Sequence, residues 1–400
     1  MAETIQNTEV EAPAEVETES FICPMCGGML RYDIAKDKFL CASCGHESEI
    51  QAEKEEIKEY DFSDYAEREK NSVPFEGTAV ADCKSCGAEI AFDKLQTATV
   101  CPMCGSTQIF EAKQRAGIPP EGIIPFKIDK PNAEQKFKQW IKHLWFAPNQ
   151  LKKSFQEGKL GGKYVPFWTY DAEVSAHYIG EGGIHRTVSD GDGKSHIETT
   201  WYTTTGNVQS SFDDIQICAS GSEGGEMISQ VLPYNTTTEL LPYAPEYLSG
   251  FQAEVYALKA DVGFETAKDK IKSTMSQLAE SQILRRYDCA RVSRIDPVYK
   301  SVSYKHVLLP LWSAVFGYRG KSYRYIINGE TGAVYGKRPY SAVKITLAIL
   351  AAVALIGGMV FLFTRNDEPQ LNAQEPAAIT EQLDQGIIEP TVLTSLQIDY

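Results

Sequence analysis

Hydrophobic and polar positions alternate along much of the chain between residues 115 and 340. The stretch "YVPFWTYDAEVSAHY", beginning at Tyr164, combines this alternation with aromatic and β-branched residues, as is typical of a half-buried strand. The same pattern continues after the turn "SDGDGKS" (189–195). It returns in "HIETTWYTTTGNVQSSF" (196–212), "KHVLLPLWSAVFGY" (305–318) and "YRYIINGETGAVYG" (323–336). We therefore predict that residues 115–340 form one α+β domain with a mainly antiparallel sheet.

Two segments of this domain have helical periodicity instead. In the first, Asp129 and Pro131 favour a helix start and Pro148 an end. Its apolar residues recur at helical spacing, which predicts a face packed into the core: Phe137, Trp140, Ile141, Leu144 and Trp145. The second predicted helix runs from about Glu265 to Arg286.

The segment Ile345–Phe363 shows neither the strand-like nor the helical alternation of apolar and polar residues, because these 19 residues are apolar on every side. As a helix they would rise about 28 Å, close to the thickness of a bilayer's hydrocarbon core. A buried core helix is the weaker interpretation, since such helices seldom lack a polar face. We predict a transmembrane helix within residues 343–364.

Basic residues indicate how this helix would be oriented. Five precede it and only Arg365 follows it, before an acidic tail. The positive-inside rule then predicts a single-pass protein of the cell (inner) membrane, with its N-terminus in the cytoplasm and residues 365–400 outside. The preceding five are Lys321, Arg324, Lys337, Arg338 and Lys344. Small residues four apart, such as Ala354 and Gly358, would permit a homo-oligomer, although alanine-rich spans contain such pairs by chance.

Eight of the ten cysteines form two matching sets. In each set two CxxC pairs are separated by 14 residues, and the second set follows the first by 60 residues. Four thiolates at this spacing are typical of a zinc ribbon, whereas disulfides, rubredoxin-like iron and a thioredoxin-type motif fit less well. We predict two zinc ions per chain, in ribbons at 21–46 and 81–106. The predicted ligands are Cys23, Cys26, Cys41, Cys44, Cys83, Cys86, Cys101 and Cys104.

Charge weighs against a nucleic-acid partner. The chain has 54 acidic and 39 basic residues, a formal net charge of -15, whereas nucleic-acid binders present a basic surface. The acidic segments are predicted to be a disordered N-terminus (1–20), a linker that could include a short helix (47–80) and a disordered tail (365–400).

No catalytic motif is apparent. Each of the two GKS triplets lacks the first glycine of a Walker A loop, because Val188 and Val315 occupy those positions. HExxH and GxSxG are absent, and four thiolates leave no open position on zinc. Three histidines, His177, His185 and His196, could converge into a metal site, but surface histidines are the favoured interpretation. We predict no catalytic residues and no enzyme activity.

The paired ribbons occur together with "YVPFWTYDAEV", "LPYAPEYLSGFQAEVY", "HVLLPLWSAVFGYRGKSYRYIINGETGAVYGKRPYS" and an apolar span. In this combination the chain resembles a family of bacterial TFIIB-type zinc-ribbon membrane proteins, often labelled primosomal helicase-like. The resemblance covers most of residues 21–364, and only the cysteine ligands carry over residue by residue. It implies a scaffold that recruits SPFH-domain or phage-shock-type proteins to the membrane.

These observations predict a non-enzymatic, membrane-anchored zinc-ribbon adaptor that holds cytoplasmic protein partners at the lipid bilayer. The alternative is a membrane-tethered nucleic-acid-binding protein linked to replication or transcription. A third hypothesis, an enzyme, would require a polar cleft around the three histidines.

Overall fold

The fold is α+β with mainly antiparallel sheets, as the alternating pattern predicts. The computed structural model describes residues 14–15, 18–50, 56–72, 78–82, 89–93, 96–100, 106–110, 117–148, 160–190, 194–221, 225–318 and 321–365. The chain divides into two units, Met1–Ser341 and Ala342–Tyr400. The described helices are α1 (Tyr65–Lys70), α2 (Lys130–His143), α3 (Gly225–Ile228), α4 (Ala260–Ile283) and α5 (Ala342–Arg365).

The described strands form one large sheet and two small ones. In the first third of the chain they are β1 (Ala14–Glu15), β2 (Thr18–Glu19), β3 (Leu30–Asp33), β4 (Lys38–Cys41), β5 (Glu47–Ser48), β6 (Tyr60–Asp61), β7 (Thr78–Asp82), β8 (Glu89–Asp93), β9 (Gln96–Val100), β10 (Thr107–Phe110) and β11 (Gly122–Ile123). The later strands are β12 (Gly161–Ser189), β13 (Ser195–Cys218), β14 (Leu241–Pro242), β15 (Gln252–Glu254), β16 (Cys289–Tyr318), β17 (Lys321–Asn328) and β18 (Val334–Gly336).

Three long strands organise the large sheet. The central strand β12 pairs antiparallel with β13 on one side and with β16 on the other. Both pairings shift register close to Asp171, which marks a β-bulge. We call the part on one side of this bulge the base, comprising residues 161–171, 213–218 and 303–318. The part on the other side is the arm, comprising residues 172–189, 195–212 and 289–302.

Most residues of the base whose side chains are described are buried, and they pack on both faces of the sheet. The strands of the base carry near-continuous apolar runs, as expected where a sheet has no solvent-facing side. The motifs "VPFW" and "LPLW" lie directly opposite each other, with Val165 paired to Leu309 and Phe167 paired to Val307. The short strands β11 and β15 extend the sheet here in parallel, and β17 extends it antiparallel. The core of the protein therefore forms around this pair of motifs.

Among the residues that the structure describes, helix α4 covers one face of the arm and no element packs on the other. Every second residue of β12 points to helix α4, where Val174, Ala176 and Tyr178 pack with Ile271 and Met275. The intervening residues of β12 are exposed or half-buried. This alternation is what a sheet with one helix-covered face and one open face requires.

Part of the predicted acidic linker belongs to the domain. Strand β6 pairs with β16, and Tyr65 of α1 is buried in an aromatic cluster. Arg68 forms a 2.7 Å ion pair with Glu121, and Glu59 forms one of 2.6 Å with Lys305. Residues 56–72 are thus held by buried aromatic packing and by ion pairs, which the acidic composition of the segment concealed.

The first predicted helix is confirmed, with one exception. The Asp129 carboxylate caps α2 by accepting a hydrogen bond from the Asn132 N–H, and Phe137 and Ile141 are buried. However, α2 ends at His143, so the apolar stripe does not continue to Trp145, which is 77% exposed. The prediction that Trp145 packs into the core was wrong, because the helical periodicity stops before this residue.

The second unit contains the apolar helix α5. Its segment Ala342–Phe361 is long and apolar enough to cross a membrane, by length and composition. The predicted transmembrane segment, residues 343–364, lies within this helix.

Candidate metal centre

The first cysteine set lies on two tight turns that share one geometry. In each turn the glycine after the second cysteine donates a backbone hydrogen bond to the carbonyl of the first cysteine, from Gly27 to Cys23 and from Gly45 to Cys41. Both glycines have positive φ angles, 72° and 74°. A residue with a Cβ atom rarely adopts this conformation, so glycine is required where the chain turns around the sulfur atoms.

The β3–β4 hairpin brings these two turns together. Leu30 pairs with Cys41, so the hairpin register places the second turn beside the first. All four Sγ atoms lie within 4.8 Å of one another. The Sγ atoms of Cys23 and Cys44 are 3.7 Å apart, and those of Cys26 and Cys41 are 3.5 Å apart.

These distances fit a tetrahedral metal. Zinc–sulfur bonds of roughly 2.3 Å at tetrahedral angles place neighbouring sulfurs about 3.8 Å apart. The four cysteines could therefore hold one metal ion without rearrangement of the backbone. Four protein ligands would fill the coordination sphere of zinc, so a zinc ion held here would not activate a water molecule.

The thiols of this group influence one another strongly. Backbone N–H groups of Cys44 and Ser43 lower the pKa of the Cys41 thiol to about 6, which favours the thiolate that binds metals. The Gly28 N–H lowers the pKa of Cys26, but the neighbouring thiols of Cys44 and Cys41 outweigh it and raise that pKa to about 12. Four thiols this close to one another can all be deprotonated only if a bound cation balances the charge of the thiolates.

Hydrogen bonds and an aromatic contact join the cysteine-bearing hairpin to the β-rich domain. Ser249 and β3 exchange two hydrogen bonds, from the Tyr32 N–H to the Ser249 carbonyl (3.0 Å) and from the Ser249 hydroxyl to the Leu30 carbonyl (2.7 Å). The Tyr32 ring packs edge-on against Tyr247, with 5.2 Å between ring centroids. Residues 20–50 therefore share a core with the β-rich domain and are not an independently tethered module.

The remaining predicted ligands, Cys83, Cys86, Cys101 and Cys104, lie outside the described residues. Strands β8 and β9, which lie between these two cysteine pairs, are described, and β8 pairs antiparallel with β7. A second zinc ion stays a prediction.

The three histidines do not converge. His177 and His185 are eight positions apart on one strand, about 26 Å, and hydrogen bond to Asn207 and Thr199 respectively. His196 lies beside Asp190, next to the hairpin turn. The favoured interpretation as surface histidines agrees with their exposure.

The sequence did not predict a partly buried cluster of charged residues at the bulge. Carboxylate oxygens of Asp171, Asp213 and Asp214 lie within 4.8 Å of one another. Lys305, whose side chain is 6% exposed, places its ammonium 2.8 Å from Asp214. The Asp171 carboxylate accepts hydrogen bonds from the Asp214 N–H and the Ser303 hydroxyl. Lysine thus supplies the positive charge here, and no spacing rule could reveal partners that come from three strands.

Comparisons with known proteins give similarity without a function. The chain is 28% identical over 334 residues to the uncharacterized protein YdjG of Bacillus subtilis (strain 168). This similarity covers 82% of the present chain and 92% of YdjG. No protein-family model matches the chain, and no solved structure matches it.

Proposed function

We propose that this protein is a membrane-anchored zinc-ribbon scaffold that holds other proteins at the cytoplasmic face of the inner membrane. Helix α5 is the anchor in this proposal, and the basic residues before it keep the first unit in the cytoplasm. Zinc in the two cysteine sets would be structural. SPFH-domain or phage-shock-type proteins, implied by the family resemblance, are the proposed partners.

The observation that carries this proposal is the open face of the arm. Eighteen residues of β12 extend beyond the bulge, about 60 Å of strand, and within the described part of the chain α4 covers just one side of them. Exposed apolar side chains lie on the uncovered side, with Ile179 36% exposed and Val298 56% exposed. A transient protein–protein interface is about as apolar as the rest of a protein surface, so a face with apolar residues between polar ones suits such an interface.

Polar groups surround these apolar residues. Across the open face, Glu173 lies opposite Lys300 and His177 lies opposite Asp296. A groove of about 440 Å³, lined by Glu173, Ser175 and Lys300 among others, lies at the end nearest the bulge. The Arg291 guanidinium stacks 3.5 Å from the centre of the Trp201 ring. Mixed charges of this kind suit a protein partner better than a phosphate backbone.

Crosslinking mass spectrometry in native cells tests the scaffold. We expect membrane-associated proteins to crosslink to peptides of the arm, and the double variant I179K/V298K to lose them. The matched control is Val262→Lys, because Val262 is 53% exposed on α4, away from the open face. Equal crosslinking in both variants would contradict the assignment of the open face.

Metal analysis of the detergent-solubilised full chain tests the ribbons. We expect two zinc ions per chain, and one ion in the Cys41→Ser variant, since three thiolates bind zinc more weakly than four. A single ion in the unaltered protein, or iron, would overturn the pair of zinc ribbons.

The alternative, nucleic-acid binding at the membrane, predicts a different result. It requires micromolar affinity for DNA or RNA that weakens steeply with added salt. The net charge of -15 favours the scaffold.

A further inference from the structure

Exposed aromatic side chains lie beside the point where the chain leaves its first unit. Trp145 is 77% exposed, Tyr340 is 61% exposed and Phe146 is 38% exposed. Ser341, the last residue of this unit, donates a 2.8 Å backbone hydrogen bond to the carbonyl of Phe146. We call Trp145, Phe146 and Tyr340 the aromatic patch. The hydrogen bond joins its two halves, which are almost 200 positions apart in the sequence.

The patch is held in place by packed elements. Leu144, directly after the last residue of α2, is buried, and Ala147 is buried just beyond the two exposed aromatics. At the other half, Gly336 in β18 lies so close to the Trp140 ring that an added Cβ would be 3.2 Å from it. Helix α2 and the segment ending at Ser341 therefore lie side by side. The patch therefore has a defined position within the first unit.

Basic residues accompany the patch in a chain that is acidic as a whole. Residues 136–146 contain Lys136, Lys138 and Lys142 and no acidic residue, and residues 333–341 contain Lys337 and Arg338 and no acidic residue. The Arg338 guanidinium lies 5.4 Å from the centre of the Tyr340 ring. Positive charge beside exposed tryptophan and tyrosine is the composition of protein surfaces at the headgroup level of a bilayer.

We propose that the aromatic patch and its basic neighbours contact the headgroup region of the bilayer that α5 enters. This inference rests on the proposed membrane anchor. Ser341 is bonded to Ala342, the first residue of α5, so the patch is tied to the start of the span. Tryptophan and tyrosine place an apolar ring and a polar group at the same interface.

Fluorescence quenching by brominated lipids tests this contact in the full chain. The protein is reconstituted into vesicles that contain anionic phosphatidylglycerol and phosphatidylcholine, with or without bromine on the acyl chains. We expect brominated lipid to quench the tryptophan emission of the unaltered protein. Trp145→Phe should remove most of the quenchable signal. Trp201→Phe is the matched control, because Trp201 is also partly exposed but lies on the arm.

Alkaline washing of the same vesicles separates this inference from the anchor. If the protein stays in the washed vesicles but Trp145→Phe is quenched as strongly as the unaltered protein, the proposed contact is wrong and the anchor is not contradicted. Chain released by the wash would overturn the anchor, and the inference with it. We also expect the double variant K337Q/R338Q to lower quenching in phosphatidylglycerol vesicles. If the unaltered protein is quenched equally in vesicles of pure phosphatidylcholine and in vesicles that contain phosphatidylglycerol, the basic residues do not contribute to the contact.

Discussion

The base and the arm are built from the same three strands, yet they bury these strands in different ways. In the base, Trp168, Val307 and Leu309 are fully buried, and neighbouring residues of one strand pack on opposite faces. In the arm, alternate residues of β12 from Ala172 to Gly180 are buried, and α4 is the described helix that covers them. Whether a strand is buried on one face or on two is therefore set by its neighbours along each part of its length.

The transition between these two regions coincides with the bulge. Asp214 and Ser301, on the strands flanking β12, have positive φ angles of 52° and 49°, and Asp171 lies between them. A bulge bends a strand and increases its twist, which redirects the sheet where its environment changes. Buried charges from the flanking strands meet at this position, so the junction is held by electrostatics as well as by packing.

The largest expected difference between base and arm comes from exchanging tryptophan for alanine. Trp168→Ala would remove a fully buried ring that packs on Tyr256 and His306, and we expect a loss of about 4 kcal/mol in unfolding free energy. Trp201→Ala in the arm should cost about 1 kcal/mol, mainly its contact with Arg291. Chemical denaturation in detergent, followed by circular dichroism, measures both. Equal losses would show that the arm is as tightly packed as the base.

The charge cluster at the junction gives the next largest effect. Lys305→Met would leave the buried Asp214 carboxylate without its cation, at a cost of about 3 kcal/mol in unfolding free energy. The double variant K305M/D214N should recover part of this loss. Asparagine has no charge to compensate and tolerates the positive φ angle at this position. If the double variant is no more stable than K305M in the same denaturation experiment, the pair does not hold the junction.

A glycine tests how closely the arm packs on the chain that follows α4. An added Cβ at Gly182 would lie 2.2 Å from the Tyr287 ring, so Gly182→Ala should shift this ring at a cost of about 2 kcal/mol. At Gly161 in the base, the nearest atom would be 3.9 Å away, and G161A should change the unfolding free energy by less than about 0.5 kcal/mol. Thermal unfolding of the two variants compares them. Equal midpoints would contradict the close approach of Tyr287.

The smallest expected effect is a pH dependence at the junction. Burial raises the pKa of Asp171 from 3.8 to about 6, although the Asp214 N–H, the Ser303 hydroxyl and Lys305 oppose it. Because the folded protein then binds the proton more tightly than the unfolded chain, this group stabilises the fold below about pH 4. That stabilisation is lost as the pH rises through about 6.

The corresponding experiment compares unfolding midpoints at pH 5 and pH 7. The advantage of the unaltered protein over D171N should be greater at pH 5 than at pH 7. The exposed arm residue Asp296 provides the control, as D296N should not alter the pH dependence. An advantage that grows from pH 5 to pH 7 would contradict the assigned pKa shift.

Sequence reasoning worked where the determining interactions are local. The spacing of Cys23, Cys26, Cys41 and Cys44 predicted a cluster, because each CxxC turn and its glycine form from a few adjacent residues. Asp129 and the spacing of Phe137 and Ile141 predicted α2 for the same reason. The length and apolarity of α5 were also readable, since these properties belong to one continuous segment.

Tertiary structure alone decided what depends on distant segments. The composition of residues 56–72 predicted an acidic linker, but Tyr65 is buried against residues far along the chain and the half-buried Arg68 is ion-paired with Glu121. Lys305 meets acidic partners that precede it by 91 positions or more, and no local pattern encodes that meeting. The sequence places Trp145 on the apolar face of a helix, but in the structure the helix ends two residues before Trp145 and its side chain is exposed. The periodicity of apolar residues determines which residues share a face of a helix or strand, but the elements that cover this face are determined by the packing of the whole chain.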